Sequence, residues 1–196
     1  MRSNPGDRER AGGFGDQGRI AGSAVVTIGG QKIGVVGNTT QLLASISSPG
    51  GVVGKTPTAD DMAALARVLQ PAIDALLAQG INKIVLSSQL QQFQLEQALI
   101  PLLRGVDIVI SAGSHALFAD GTSTIRPGDT AAQAYPVLLR GADGNPVLQV
   151  NSENEYAYVN RLVVQLAVTN ADGSVRDVIV AIRFIGSDKD ARQTKS

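Results

Sequence analysis

GINKIVLSSQLQQFQLEQALIPLLRGVDIVISAGSHAL, from Gly80 to Leu117, is the stretch on which the fold turns. Lys83 to Ser87 is a short, β-branched apolar run of the kind that makes a buried strand. Gln91 to about Leu103 reads as a helix, and Asp107 to Ser111 as a second buried strand. Strand, helix and strand at this spacing predict a parallel βαβ crossover, because parallel neighbours need a connection of a dozen or more residues. The second strand runs into a glycine-containing loop that ends in Ser114-His115.

Upstream of this unit the pattern is β. Ala24 to Ile28 and Gln31 to Val36 are β-rich runs separated by Gly29-Gly30, a two-residue hairpin signal. NTTQLLASISSPGGVVGKTPT follows as a long Gly/Ser/Thr/Pro loop. A helix comes next, with Thr58 as the expected N-cap, Asp60 and Asp61 favouring the positive end of the dipole, and Gly80 as the C-terminal stop. Met62, Leu65, Leu69, Ile73, Leu76 and Leu77 give it one apolar face, and Pro71 is expected to kink or split it.

Downstream, Tyr135 to Arg140 and Pro146 to Asn151 flank Ala142-Asp143-Gly144-Asn145, and Arg161 to Val168 and Val175 to Phe184 flank Asn170-Ala171-Asp172-Gly173. Both read as antiparallel hairpins with glycine-bearing turns. The expected architecture is α/β: a mixed sheet with a parallel βαβ core and antiparallel C-terminal hairpins. Residues 1–20 and 187–196 hold few large apolar side chains and are expected to be mobile ends of a single domain spanning 21–186.

Composition narrows the function classes. A hydrophobic content of 43% and a charged content of 17% are those of a globular protein, and 17 basic residues cancel 17 acidic ones. With no net charge and no Trp, nothing steers the chain toward nucleic acid or a membrane surface. The absence of cysteine excludes disulfides, thiolate nucleophiles and Cys-bound metal. No stretch approaches the ~20 apolar residues of a membrane helix, and the charged N-terminus has no apolar core of a secretory signal. As written, the sequence predicts a cytoplasmic protein.

The segments LSSQLQ and GVDIVISAGSHAL resemble "LSHLG" and "GIDVIIGGHSHT" of the calcineurin-like metallophosphatase domain of the bacterial 5'-nucleotidase family. GQKIGVVGNTT and GADGNPVLQVNSENEYAYVNRLVVQL are similar to further pieces of that domain, in the same order, from about Ile20 to Val175. The resemblance implies half of a two-sheet sandwich, a dinuclear centre of a divalent metal such as manganese or zinc, phosphoester hydrolysis, and relatives that are typically exported. Of the three histidines in those motifs, the first falls on Gln89, the second on Gly113, and the third on His115. The family's earlier D-x-H and G-N-H-[DE] segments find no match, because His115 is the chain's one histidine. The implied ligand set is reduced to His115 and Gln89, and a neutral amide is a poorer ligand than imidazole for such metals.

Three functions follow as expectations. The first is a truncated nucleotidase-like hydrolase with a depleted metal site, acting on a small phosphate ester. The second is a non-catalytic scaffold or interaction module. The third is a metal-independent carboxylesterase acting on an acyl ester, with His115 as base, Ser114 or Ser88 as nucleophile, and Asp107 or Asp120 as orienter. Against the third stand the absence of a G-x-S-x-G elbow and the adjacency of Ser114 to His115. Asp129, in RPGDT, reads as a turn aspartate, and SSPGGVVGKT lacks the first glycine of a phosphate-binding loop. Half of a two-sheet domain would leave an apolar sheet face uncovered, so a homodimer or higher oligomer is expected.

Overall fold

A computed structural model of the chain describes residues 21–28, 30–51, 60–153, 157–164 and 180–185. They fall into two compact units, the first within 1–114 and 138–150 and the second within 115–137 and 151–196.

The first unit is built on a six-stranded sheet. Strands β1 (Ser23–Ile28) and β2 (Gln31–Thr39) form the antiparallel hairpin read from the sequence, with Ile28 opposite Gln31 and Gly30 at a φ of 78°. The loop after β2 contains a one-turn helix, α1 (Leu43–Ile46), where the sequence offered only loop signals. Helix α2 (Met62–Leu77) then crosses to β3 (Ile84–Gln89), which lies parallel to β2. Helix α3 (Phe93–Leu99), extended by a 3₁₀ turn over Ile100–Leu102, crosses to β4 (Ile108–Ala112), parallel to β3. This is the expected βαβ unit.

β5 (Val137–Arg140) and β6 (Pro146–Val150) form the next hairpin, its turn closed by Gly141 N–H to the Asn145 carbonyl at 2.9 Å. β6, not β5, pairs with β4, and it does so in parallel, leaving β5 at the edge in the order β1-β2-β3-β4-β6-β5. The β6 strand of this hairpin therefore extends the parallel core. The Leu103 carbonyl fixes it there by accepting from Ala142 N–H at 2.7 Å, while the Asp143 carboxylate accepts from Gly105 N–H at 2.8 Å.

One face of this sheet is sealed by helices. Met62, Leu65, Ala66, Leu69, Ile73 and Leu76 of α2 share a core with Val36, Ile84, Leu86, Val109 and Val147 of the strands. Asp61 caps α2, its carboxylate accepting from Ala64 N–H at 2.7 Å, whereas Thr58 lies outside the described residues. The helix ends as the sequence predicts: Gly80, at a φ of 76°, donates to the Leu77 carbonyl and Ile81 to that of Leu76, a Schellman closure. Pro71 does not split α2. It sits on the exposed side, and the buried residues before and after it hold both halves of the helix on one sheet, each worth about 1.5–3 kcal/mol of burial.

In the second unit, β7 (Val159–Val164) and β8 (Val180–Ile185) pair antiparallel, as read from the sequence, although the connecting turn lies outside the described residues. Leu117, Ala157 and Tyr158 form a small separate core.

Candidate functional site

Parallel strands end together, and residues at their C-terminal ends are where this class of fold gathers functional groups. Thr39 of β2, Gln89 of β3 and Ala112 of β4 share one register level, so Gln89 and the loop entered at Gly113 stand at that end of the first unit. Gln89 is exposed and His115 is exposed, but Ser114 between Gly113 and His115 is buried. The division into units falls between Ser114 and His115: Ser88, Gln89 and Ser114 belong to the first, His115 to the second.

What the first unit does bring together is Gln91 and Gly113. Gln91 has a φ of 74°, in the left-handed region that favours glycine, and the motif that Gln89 matches carries glycine at this position. Its side-chain amide lies over Gly113. A Cβ at residue 113 would come within 2.7 Å of Nε2 and 2.9 Å of Cδ. Gly113 itself has a φ of 86°. The place where a side chain from residue 113 would start is taken by a neighbouring glutamine.

Ser88 is 1% exposed, and its partners are not a histidine. Its hydroxyl donates to Oε1 of Glu96 at 2.8 Å and accepts from Nδ2 of Asn38 at 3.2 Å, while Leu90 N–H donates to the same Glu96 oxygen at 3.1 Å. Directly opposite Ser88 on β4, Ser111 accepts from Nε2 of Gln149 at 2.8 Å, and that nitrogen also reaches the Phe93 carbonyl at 3.1 Å. A belt of polar side chains thus crosses β2, β3, β4 and β6 beneath α3. Glu96 is fully buried, and burial pushes its carboxyl above the usual carboxylate range against the hydrogen bonds from Ser88 and Leu90. Oδ1 of Asn38, Oε2 of Glu96 and Oε1 of Gln149 are buried without a hydrogen-bond partner.

The sequence reading missed Glu96, Asn38 and Gln149. One signal was there: Glu96 stands three residues from both Phe93 and Leu99, on the apolar stripe of its helix. A carboxylate at such a position is either paired or neutral.

The proposed orienters are committed elsewhere. Asp107 accepts from Ile84 N–H at 2.7 Å at the start of β3, about 13 Å along the strand from Ser88. Burial is the main cause that raises its carboxyl. Asp120 folds back on its own loop, its Oδ1 accepting from Thr122 N–H and from the Thr122 and Ser123 hydroxyls, each at 2.8 Å. Asp129 closes the Arg126-Pro127-Gly128-Asp129 turn, with Gly128 at a φ of 92°, and its carboxylate accepts from the Tyr158 hydroxyl and lies 3.4 Å from Nε of Arg126. It is the turn aspartate expected, with Tyr158 as its anchor. Most of the SSPGGVVGKT loop lies outside the described residues.

The donor set can be tested against the divalent metals that the resemblance implies. Gln89 offers a neutral amide, Gly113 nothing, and His115 one imidazole. Among the described residues no group of three or more His, Asp or Glu side chains could hold a metal ion. These residues do not fit a dinuclear centre, each ion of which needs several nitrogen or oxygen ligands. Among the same residues, no helix is long and apolar enough to cross a membrane.

No family model matches the sequence. The chain is 31% identical over 137 residues to a 5'-nucleotidase of Diplobatis ommata and 29% identical over 136 residues to that of Mus musculus, in each case over 68% of this chain. It spans 22% of the length of either relative. Its fold matches the 5'-nucleotidase precursor from Thermus thermophilus with a TM-score of 0.66 and 27% identity, over 90% of this chain and 33% of that one. An NAD nucleotidase of Haemophilus influenzae shares the fold at a TM-score of 0.60 and 23% identity, over 88% of this chain and 35% of that one.

Proposed function

Because the chain belongs to the 5'-nucleotidase family, with the fold of half of its two-sheet sandwich, we propose that it is a nucleotidase-fold module that does not hydrolyse phosphate esters with its own side chains and acts through its surface. The observation that carries this reading is the side chain of Gln91 lying over Gly113. At the strand ends where the resemblance calls for metal ligands, one position has no side chain and its space is filled by a neutral amide. His115 and Gln89 are too few donors to hold two ions and a nucleophilic hydroxide.

A metal-free esterase is disfavoured by the state of Ser88. Ser88 donates its proton to Glu96 and not to a histidine, and at 1% exposure it offers no approach to an acyl carbon.

The test is hydrolysis of a chromogenic phosphate ester and a chromogenic acyl ester by folded protein, with manganese and with chelator. The expected result is turnover at the buffer rate in every combination, unchanged in His115→Ala. Metal-dependent phosphate release that disappears in His115→Ala would overturn the proposal in favour of a rebuilt hydrolase. Chelator-resistant acyl hydrolysis lost in Ser114→Ala or Ser88→Ala would overturn it in favour of the esterase.

A further inference from the structure

The first unit's sheet has two unequal faces. On the helix side, Val36, Ile84, Leu86, Val109 and Val147 are each at most 1% exposed. The alternate residues point the other way, since side chains along a strand alternate with a period of two. Val35, Val85, Ile108 and Leu148 stand opposite one another across β2, β3, β4 and β6, an apolar row in continuous register. Around it Val26 is 40% exposed, Ile28 62%, Ile110 45% and Leu138 65%. Within the six strands, Arg140 is the single charged residue of this set, at the edge strand β5, where its guanidinium donates to the Gly144 carbonyl at 2.9 Å.

A mainly parallel sheet is normally covered on both faces, and exposed apolar patches of several hundred Å² mark interaction surfaces. We propose that this face is the interface of a homodimer, in which two copies pack sheet on sheet about a two-fold axis. Self-pairing suits the chemistry. A face with one peripheral charge meets its own copy without like-charge repulsion, and a two-fold axis sets an apolar row against the same row.

The size suits it as well. Six strands at ~4.8 Å and roughly five residues at ~3.3 Å give a flat area of roughly 500 Å² per copy. Two copies then bury about 1,000 Å² before side-chain relief is counted, which meets the roughly 1,000 Å² that a specific interface should clear.

The proposal is tested by light scattering of the full 196-residue chain at tens of micromolar, with Ile110→Lys and Leu138→Lys as separate variants. Val68→Lys, on the outer side of α2 and 40% exposed, is the control. Wild type and Val68→Lys are expected at twice the chain mass. The two face variants are expected at the chain mass, with at least a tenfold weaker dimer and unchanged far-ultraviolet circular dichroism.

Hydrogen exchange adds a measurement that needs no variant: β4 amides should gain protection as wild-type concentration rises through the dimer range. A monomeric wild type would overturn the proposal. So would a dimer that persists in both face variants, or β4 protection independent of concentration, which would assign the cover to another part of the same chain.

Discussion

Glu96→Ala is expected to lower folding stability by about 3–5 kcal/mol, whereas Glu96→Gln keeps the protein folded and changes how its stability varies with pH. The alanine leaves a cavity under α3 and removes the acceptor shared by the Ser88 hydroxyl and Leu90 N–H. Losses of about 2–5 kcal/mol for large-to-alanine changes in a core, and about 1–3 for each buried donor left unmade, set the scale. Glutamine has nearly the same volume, and its carbonyl oxygen can replace Oε1.

The pH effect has a definite sign. Burial raises the carboxyl of Glu96 in the folded state above its ordinary value of 4.5. A raised value means that the native state holds the proton more tightly than the unfolded chain does. Its contribution is fully present below pH 4.5 and is lost as the pH rises through the folded value. Chemical denaturation of wild type and Glu96→Gln between pH 4 and 8 should therefore diverge, the glutamine variant gaining relative stability as the pH rises. Parallel curves across that range would mean that Glu96 keeps its charge inside the core.

The second large effect is a coupling between Gln91 and Gly113. Gly113→His is expected to cost about 2 kcal/mol in the wild-type background. Part of the cost is the left-handed backbone at residue 113, roughly 1–2 kcal/mol for a residue with a Cβ. The rest is expulsion of the Gln91 amide, the flexible end of a side chain, from the 2.7 Å approach that the new Cβ would make. Replacing Gln91 by glycine removes the second part and also relieves the φ of 74° at residue 91. Denaturant unfolding of the two single variants and the double should then show an interaction of about 0.5–1.5 kcal/mol favouring the double, within the range found for touching residues. Additive costs would mean that Gln91 is only a neighbour of the position and does not occupy it.

The parts of this protein that its sequence determined by itself are those set by local chemistry. The apolar spacing of Met62 to Leu77 and the glycine at 80 specify α2 and its end, because helical period and left-handed closure are properties of a few consecutive residues. Gly29-Gly30 specifies the first hairpin and Lys83 to Ser111 the parallel crossover for the same reason. The motif positions of Gln89, Gly113 and His115 were equally legible, since a missing side chain is missing before any folding occurs.

Only the tertiary structure decided which strand of the β5–β6 hairpin pairs with β4, because β5 and β6 flank the same turn and the choice lies with β4, more than thirty residues before β6. It also decided that α2 continues through Pro71, where burial on both sides outweighs a local break. The same holds for the chemistry within the fold. Ser88 meets Asn38 and Glu96 and not a histidine because the strand register and the seating of α3 bring residues fifty and eight positions away to one hydroxyl. Gln91 covers Gly113 because two loops from neighbouring parallel strands end side by side. Such meetings depend on distances through space, which the spacing of residues along a chain does not contain.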